Sequence, residues 1–362
     1  MPSKVYNAGI IGYGTSANVF HIPFLTASPS FSVHSIVQRS GDSAKEAHPE
    51  CIIYRSTDEL LDDKDVDLVI LCTPVETHFE MAKKAVNAGK HVVVEKPFCP
   101  TSEECDQLIQ LAKSQGKLLV PFQNRRWDVE FLTLQKVIAE GHLGRIVEFS
   151  SHYDLYLKDL PGFWPEMVSL PGGSLLHGLG THIIDQTLVL FGLPSKVTGV
   201  LQSQHTAGIN DAFTVLLHYP NGMLVTLKSS VLSAEAEQLR FWIRGEKGSY
   251  RKCHIDPQEP QINEGMKLDD PEFGKEDESK FGILTVNAES ADATQTRLES
   301  GKLNKSVYPN VAPQTYVKFY DLLGAALDGE GEVPVRPEDS RDGIRLVELA
   351  TASFEQGATL AV

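Results

Sequence analysis

Two runs, VDLVILC (66–72) and KHVVVEK (90–96), constrain the fold more than anything else in the chain. Each is a short and nearly unbroken apolar stretch, the pattern of a strand covered on both faces. Between them lies ETHFEMAKKAVNAG (76–89), an amphipathic helix closed by glycine. The alternation extends in both directions. VYNAGII (5–11), SVHSIVQ (32–38), CIIYR (51–55) and KLLVPFQ (117–123) are further strand candidates. SANVFHIPFLTA (16–27), TDELLDD (57–63) and TSEECDQLIQLAKSQG (101–116) have helical spacing. Thr57 is the expected cap of the second of these, and Thr101 with Glu104 forms a capping box on the third. Six strands joined by helices predict a doubly wound parallel sheet, because parallel neighbours need a crossover connection.

That context gives meaning to GIIGYGTSAN (9–18), at the end of the first strand. Gly12 permits the turn, and Gly14 leaves backbone open to a pyrophosphate. Ala17 stands where a third glycine would serve only close helix–strand packing. The helix that follows aims free N–H groups at the phosphates, and Thr15 and Ser16 begin it. Alone, G-x-G-x-x-A is equally a tight turn; after the first strand of a six-strand alternation it reads as a dinucleotide site. An NAD site would show a carboxylate about 20 residues further on. Here the second strand ends Val37-Gln38-Arg39-Ser40, and the nearest carboxylate is Asp42. Arg39 suits a ribose 2′-phosphate and Ser40 adds a hydroxyl, so NADP(H) is preferred over NAD(H). A solvated surface arginine is the plainer alternative.

The fifth strand ends Glu95-Lys96-Pro97, at the carboxyl edge where open α/β sheets bind ligands. A lysine there, partly dry and beside a positive ring, has a lowered pKa and can pass a proton to a carbonyl oxygen. Pro97 makes a cis peptide accessible, which would orient Lys96. A lysine that merely caps the sheet edge is the competing reading.

With these motifs in hand the chain resembles the glucose–fructose oxidoreductase / inositol dehydrogenase / MocA family. The resemblance rests on G-x-G-x-x-A (12–17), F-H-x-P (20–23), TPVETH (73–78), EKP (95–97), NRRW (124–127) and GGSLLHGLGTHIID (172–185). It runs from about residue 4 to 355 and is nearest to NADP-dependent fungal and bacterial members. It implies a Rossmann domain over 1–123 and an α+β domain over 124–362, with a last helix (about 338–356) packed back on the first. It implies that Lys96 is the catalytic lysine and that Thr73, Pro74, His78 and Glu95 line the cofactor, with Arg125 and Trp127 beside them. It also implies activity on sugars, polyols and related carbonyl compounds.

The second half alternates differently. IVEFSSHYDLYL (146–157), VTGVLQSQ, AFTVLLHY, GMLVTLKSSVL and QLRFWIRG read as strands, with Asn221-Gly222 as a hairpin turn. They predict a large, mostly antiparallel open sheet covered by helices on one face and, on the family's analogy, by a second subunit on the other. His182 matches the family's histidine and is the expected partner of Lys96, with a pKa suited to proton transfer; a satisfied core histidine is the alternative. The family's aspartate four residues earlier is replaced by Gly178, with His177 beside it as a substitute. Asn124 follows the sixth strand at the cleft mouth. Tyr156 and Trp164 are candidate walls of the substrate pocket and Asp154 a candidate for binding hydroxyls, though each could equally be packing.

The remaining composition narrows the function. A net charge of −15 argues against broad nucleic-acid binding. Five cysteines, without a C-x-x-C pair, read as free thiols, and Cys72 as a buried strand residue. The first residues lack a signal-peptide pattern, and no run of about 18 apolar residues occurs, so a cytoplasmic protein outside the membrane is expected. No metal-ligand spacing is found. DDPEFGKEDESK (269–280) reads as a solvated loop. Together these predict an NADP(H)-dependent oxidoreductase, with reduction of a carbonyl as the expected direction; a catalytically silent NADP-binding sensor of the same fold is the alternative.

Overall fold

A computed structural model describes residues 4–159, 162, 169–205, 208–287 and 303–362. Trp164 lies outside the described residues. The first six strands are β1 (Tyr6–Ile11), β2 (Phe31–Val37), β3 (Ile52–Tyr54), β4 (Leu68–Leu71), β5 (His91–Val94) and β6 (Leu119–Pro121). They form one parallel sheet in the order β3-β2-β1-β4-β5-β6. The order reverses between β1 and β4, which opens a crevice at their carboxyl ends. Every side chain of β4 is buried, as the unbroken apolar run demanded.

The helices between them are α1 (Ile22–Ala27), α2 (Ser43–Ala47), α3 (Thr57–Asp62), α4 (His78–Asn87) and α5 (Ser102–Ser114). A wider, π-type turn over Ser16–His21 leads into α1. Thr101 and Glu104 make the expected reciprocal capping box. The cap of α3 is Ser56, not Thr57: Ser56 is extended, and its side chain and that of Glu59 satisfy each other's backbone N–H groups. The N–H needing a partner lies three residues after the last extended residue, one position earlier than the sequence pattern placed it.

The second sheet has nine strands. They are β7 (Ile146–His152), β8 (Lys196–Gln202), β9 (Ala212–His218), β10 (Leu224–Ser230), β11 (Leu239–Gly245), β12 (Gly248–Cys253), β13 (Gly282–Asn287), β14 (Leu303–Tyr308) and β15 (Leu360–Ala361), in the order β14-β13-β12-β11-β7-β10-β9-β8-β15. All neighbours are antiparallel except β7 and β10. Strands β12 and β14 escaped sequence reading because GSYRKC and LNKSVY are too polar to stand out as apolar runs. Helices α6 (Val129–Ala139) and α7 (Thr181–Phe191) supply the core on one face of this sheet, and a second π-type turn, Leu176–Gly180, precedes α7. After α8 (Gln258–Asn263), two helices close the chain, α9 (Val317–Leu327) and α10 (Pro337–Gln356).

Helix α10 joins both halves. Toward the first sheet, Ile344 enters the core beside α4 and α5, and Glu348 accepts from the N–H and hydroxyl of Ser102. Toward the second, Leu346, Val347 and Ala350 enter the other core. The approach to β8 is so close that a Cβ on Gly199 would sit 2.0 Å from the Ala350 carbonyl oxygen, which only glycine avoids. Helix α9 also returns: Tyr316, Phe319, Tyr320 and Leu323 pack with Ala8, Phe24 and Phe31 against the first sheet. The segment read as a solvated loop contributes there too. Phe273 is buried on Phe24, and Glu276 forms a buried ion pair with Lys252 at 2.8 Å. No helix among the described residues is long and apolar enough to cross a membrane.

Candidate active site

The crevice at the carboxyl ends of β1, β4 and β5 is where the sequence motifs converge. Gly12 has a φ of +98°, and a Cβ there would meet the Cys72 carbonyl oxygen at 2.6 Å. Gly14 differs: a Cβ would find nothing within 4 Å, so the space beside it is open to a ligand. Ala17 is fully buried at the start of the helical stretch, the packing role expected of the third position. That stretch begins at Ser16, directly after the open turn, which places a helix N-terminus beside it. These features fit a dinucleotide pyrophosphate.

A chamber of about 460 Å³ adjoins the turn, lined by Thr15, Ser16, Thr73, Lys96, Arg125 and His182 among others. Cys72 also lines it, so it stands at the cleft and is not the fully buried strand residue expected. Lys96 enters from the first domain across a cis Lys96–Pro97 bond, and its Nζ donates to the Gly178 carbonyl at 3.2 Å. Burial pushes the ammonium's pKa below its ordinary 10.5; Glu95 opposes this and Arg125 reinforces it.

Glu95 holds the arrangement together. Its carboxylate accepts from the Ser16 hydroxyl, lies 3.0 Å from His21 Nε2, and accepts from the Lys96 N–H at 2.8 Å. Burial disfavours the charge, but His21, Lys96 and Ser16 outweigh it and hold the carboxyl at about 2. His21, fully buried, reaches Tyr320 on α9 at 2.6 Å through its other nitrogen. The F-H-x-P histidine is therefore a positioning residue, a role its motif alone did not reveal.

The NRRW turn carries the second domain's half. Arg125 is buried, with Nη2 2.9 Å from Glu259 and Nη1 3.4 Å from Asp128, and its guanidinium lies 5.1 Å from the Tyr153 ring centre. Helix α7 clamps this turn: Gln186 donates to the Arg125 carbonyl and Asp185 takes both ends of Arg126 at 2.7 and 2.8 Å. His182, one turn earlier on α7, is thereby brought to the chamber. Burial, followed by Lys96, Arg125 and Arg240, pushes its pKa well below 6.5, so it is a neutral imidazole. Its Nδ1 and the Nε of Arg125 are buried without a partner among the described residues, as befits groups that face a polar ligand. Asn124 is buried and lines the same chamber.

Several expected residues lie elsewhere. His78 does not line the cleft: it is buried, with Nδ1 2.9 Å from the Pro97 carbonyl and Nε2 2.8 Å from that of Thr73, and it ties the loops after β4 and β5 together. Trp127 packs edge-on against Phe319 in the first core. His177 is held by Ser174 at 2.8 Å and does not stand in for a carboxylate at 178. Tyr156 is 55% exposed; Asp154 meets His152 through Oδ2 at 3.1 Å, and its Oδ1 is buried without a partner among the described residues; neither lines the chamber. The lining residues are Tyr153 and Leu155. Successive side chains of an extended segment point to opposite sides, so 153 and 155 share the chamber face while 154 and 156 do not. Glu259 was missed because its partner, Arg125, lies 134 residues away. Outside the cleft, His34, Asp63 and Asp65 bring possible metal-binding atoms within 4.8 Å of one another, but Asp63 already accepts from His34, Tyr54 and the Asp65 N–H.

The comparisons with known proteins agree with this geometry. The family described as "Oxidoreductase family, NAD-binding Rossmann fold" matches residues 6–122, and the "GFO/IDH/MocA C-terminal domain" matches residues 131–251. This chain belongs to the Gfo/Idh/MocA oxidoreductase family. An uncharacterized oxidoreductase of Schizosaccharomyces pombe is 38% identical over 97% of this chain and 98% of its own. The Bacillus subtilis protein named scyllo-inositol 2-dehydrogenase (NADP(+)) IolW is 33% identical over 97% and 94%. The crystal structure of an oxidoreductase from Bacillus cereus is 29% identical and superposes with a TM-score of 0.85 over 99% of each chain. Membership in the Gfo/Idh/MocA family makes the chain an oxidoreductase with a nicotinamide-dinucleotide domain.

Glu95→Gln tests the hub. A carboxyl held at about 2 rather than its ordinary 4.5 stabilises the fold at every pH above 4.5, and that contribution is lost as pH falls toward 2. Urea unfolding is expected to show a loss on the order of 3 kcal/mol at pH 7. The gap between variant and wild type narrows below pH 4.5. A gap that does not depend on pH contradicts the assignment.

Proposed function

We propose that this chain is an NADP(H)-dependent oxidoreductase that moves hydride between a nicotinamide and the carbonyl or alcohol carbon of a small substrate. The observation that carries the reading is the Lys96 ammonium, placed between the two halves with a lowered pKa and the Gly178 carbonyl as its acceptor. A bound nicotinamide supplies or takes the hydride. In the reducing direction Lys96 gives its proton to the carbonyl oxygen as the carbon–oxygen double bond becomes an alcohol. His182, neutral, hydrogen-bonds the same oxygen and assists. In the oxidising direction neutral Lys96 takes the hydroxyl proton.

The preference for NADP(H) is supported by the loop after β2. Arg39 is exposed, next to Ser40. Asp42, the nearest carboxylate, is paired with Arg55 at 2.5 Å, and Arg55 also donates to the Gly41 carbonyl. A carboxylate so engaged is poorly placed to receive a ribose 2′-hydroxyl, whereas the free guanidinium suits a 2′-phosphate. The NADP(+) in the name of the Bacillus subtilis relative points the same way. No metal enters this scheme. The five free cysteines accord with a reducing, cytoplasmic setting.

The uncovered face of the second sheet supports a homodimer. Val200 on β8, Trp242 on β11 and Val307 on β14 stand 42%, 38% and 58% exposed along it. A broad face of this kind is best covered by a second copy of itself, which gives a twofold, self-complementary contact.

Three measurements test these assignments. Lys96→Ala is expected to lower carbonyl reduction about a thousandfold while the cofactor still binds. The wild-type rate falls as pH rises through a break below 10.5, because reduction needs the ammonium, and the variant lacks that break. Equal turnover by wild type and variant excludes Lys96 as the acid. Arg39→Ala is expected to weaken NADPH binding by tenfold or more, the strength of one charge-assisted contact, with NADH within twofold of wild type. Equal losses for both cofactors contradict the 2′-phosphate role. Sedimentation velocity is expected to give twice the 39.9 kDa chain mass, and Trp242→Glu with Val200→Glu a single chain mass; a wild-type monomer ends the dimer proposal.

A further inference from the structure

A second cavity, about 610 Å³, opens beside the chamber and shares Thr73, Lys96, Leu155 and Leu179 with it. A volume of this size suits a whole small-molecule substituent. The two spaces differ in chemistry. The chamber presents polar groups with unmet hydrogen bonds, Arg125 Nε and His182 Nδ1. The annex is walled by Pro74, Val75, Pro97, Leu155, Leu170 and Leu179. Its few polar atoms are already committed: the Thr73 hydroxyl is 2.7 Å from that of Thr77, and Ser174 is 2.8 Å from His177. Apart from Lys96, which it shares with the chamber, the remaining polar side chain among the described lining residues, Glu76, is exposed to solvent.

Gly178 joins the two spaces. Its carbonyl accepts from Lys96, the residue lines the annex, and a Cβ at this position would meet nothing within 4 Å. A side chain here would occupy that room and, if acidic, would put a charge in it. Glycine leaves an uncharged, unobstructed passage from the ammonium to the apolar walls.

We propose that this annex takes an unhydroxylated hydrocarbon group, alkyl or aryl, attached to the reacting carbonyl or carbinol carbon. The substrate class is then an amphiphilic aldehyde, ketone or alcohol. Its oxygen lies among Lys96, His182 and Arg125, and its carbon body lies against Val75, Leu170 and Leu179. A fully hydroxylated ring would bury hydroxyls against carbon with no protein partner, which costs free energy. The inference rests on the proposed oxidoreductase site in placing the substrate oxygen at Lys96.

Isothermal titration of the NADPH-saturated protein with straight-chain primary amides tests it without turnover, since the amide presents a carbonyl and does not react. From propanamide to heptanamide the Kd is expected to tighten about fourfold for each added methylene, the gain from moving one CH₂ out of water. Leu170→Glu, at a position 39% exposed and therefore tolerant of a charge, flattens that series and weakens heptanamide at least tenfold. A Kd that does not change with chain length overturns the proposal, as does tighter binding of an inositol or hexose than of heptanamide. The chain-length trend together with no NADPH oxidation by hexanal or any other carbonyl would leave the annex standing and remove the redox reading; hexanal oxidation of NADPH without the trend does the reverse.

Discussion

The Glu95 carboxylate is the contact on which the cleft depends. It is buried, and it binds three parts of the chain that are distant in sequence: the helical turn after the glycine-rich loop through Ser16, the F-H-x-P helix through His21, and its own strand end through the Lys96 N–H. An ionised carboxylate so far from water survives only because these donors replace its hydration. The cost of removing any of them is correspondingly large. Through His21 the same carboxylate reaches Tyr320, so α9, 299 residues after that histidine, supports the strand end from which Lys96 projects. The first domain therefore draws part of its core from the last quarter of the chain. Neither half is closed without the other.

The second domain meets this hub through a counterpart built on arginine. Arg125 and Arg240 both lie within cation–π distance of Tyr153, and Arg240 is tied to Glu130, Gln186 and the His152 carbonyl. Gln186 in turn holds the Arg125 backbone. The guanidinium groups, always charged, impose their field on the chamber and keep His182 neutral together with burial. A neutral imidazole can accept or donate a hydrogen bond without adding a third positive charge. Lys96 feels the same field from Arg125, so Lys96 and His182 are both pushed by burial and by neighbouring cations in the direction that favours loss of a proton.

What the sequence made legible was whatever depended on local pattern. The βα alternation, the glycine at 12, the Thr101–Glu104 box and the Asn221-Gly222 turn each follow from a few neighbouring residues, and each is present. Family spacing pointed to Lys96, Arg125 and His182, and the three line one chamber. It failed where the deciding fact was distant or depended on parity. Tyr153 and Leu155 were passed over for their neighbours because an extended segment with polar residues on both faces does not declare which side is inward. Trp127 and His78 carry groups that suit a ligand, and the fold used them for packing and for loop tethering instead. Glu259 and Tyr320 could not be found from local sequence, since nothing near either one names Arg125 or His21.

Gly178 joins these themes. A carboxylate at this position would stabilise the Lys96 ammonium strongly, as an ion pair; the backbone carbonyl that does hold it is a dipole and stabilises it less. Less stabilisation of the charged form means a lower pKa, and a lower pKa makes the ammonium a better proton donor to an oxygen that is gaining charge. The same absence removes a charge from the passage to the apolar cavity, where an uncompensated carboxylate would have been desolvated by any hydrocarbon group that approached. One missing side chain therefore changes the acidity of the lysine and the polarity of the space beyond it together.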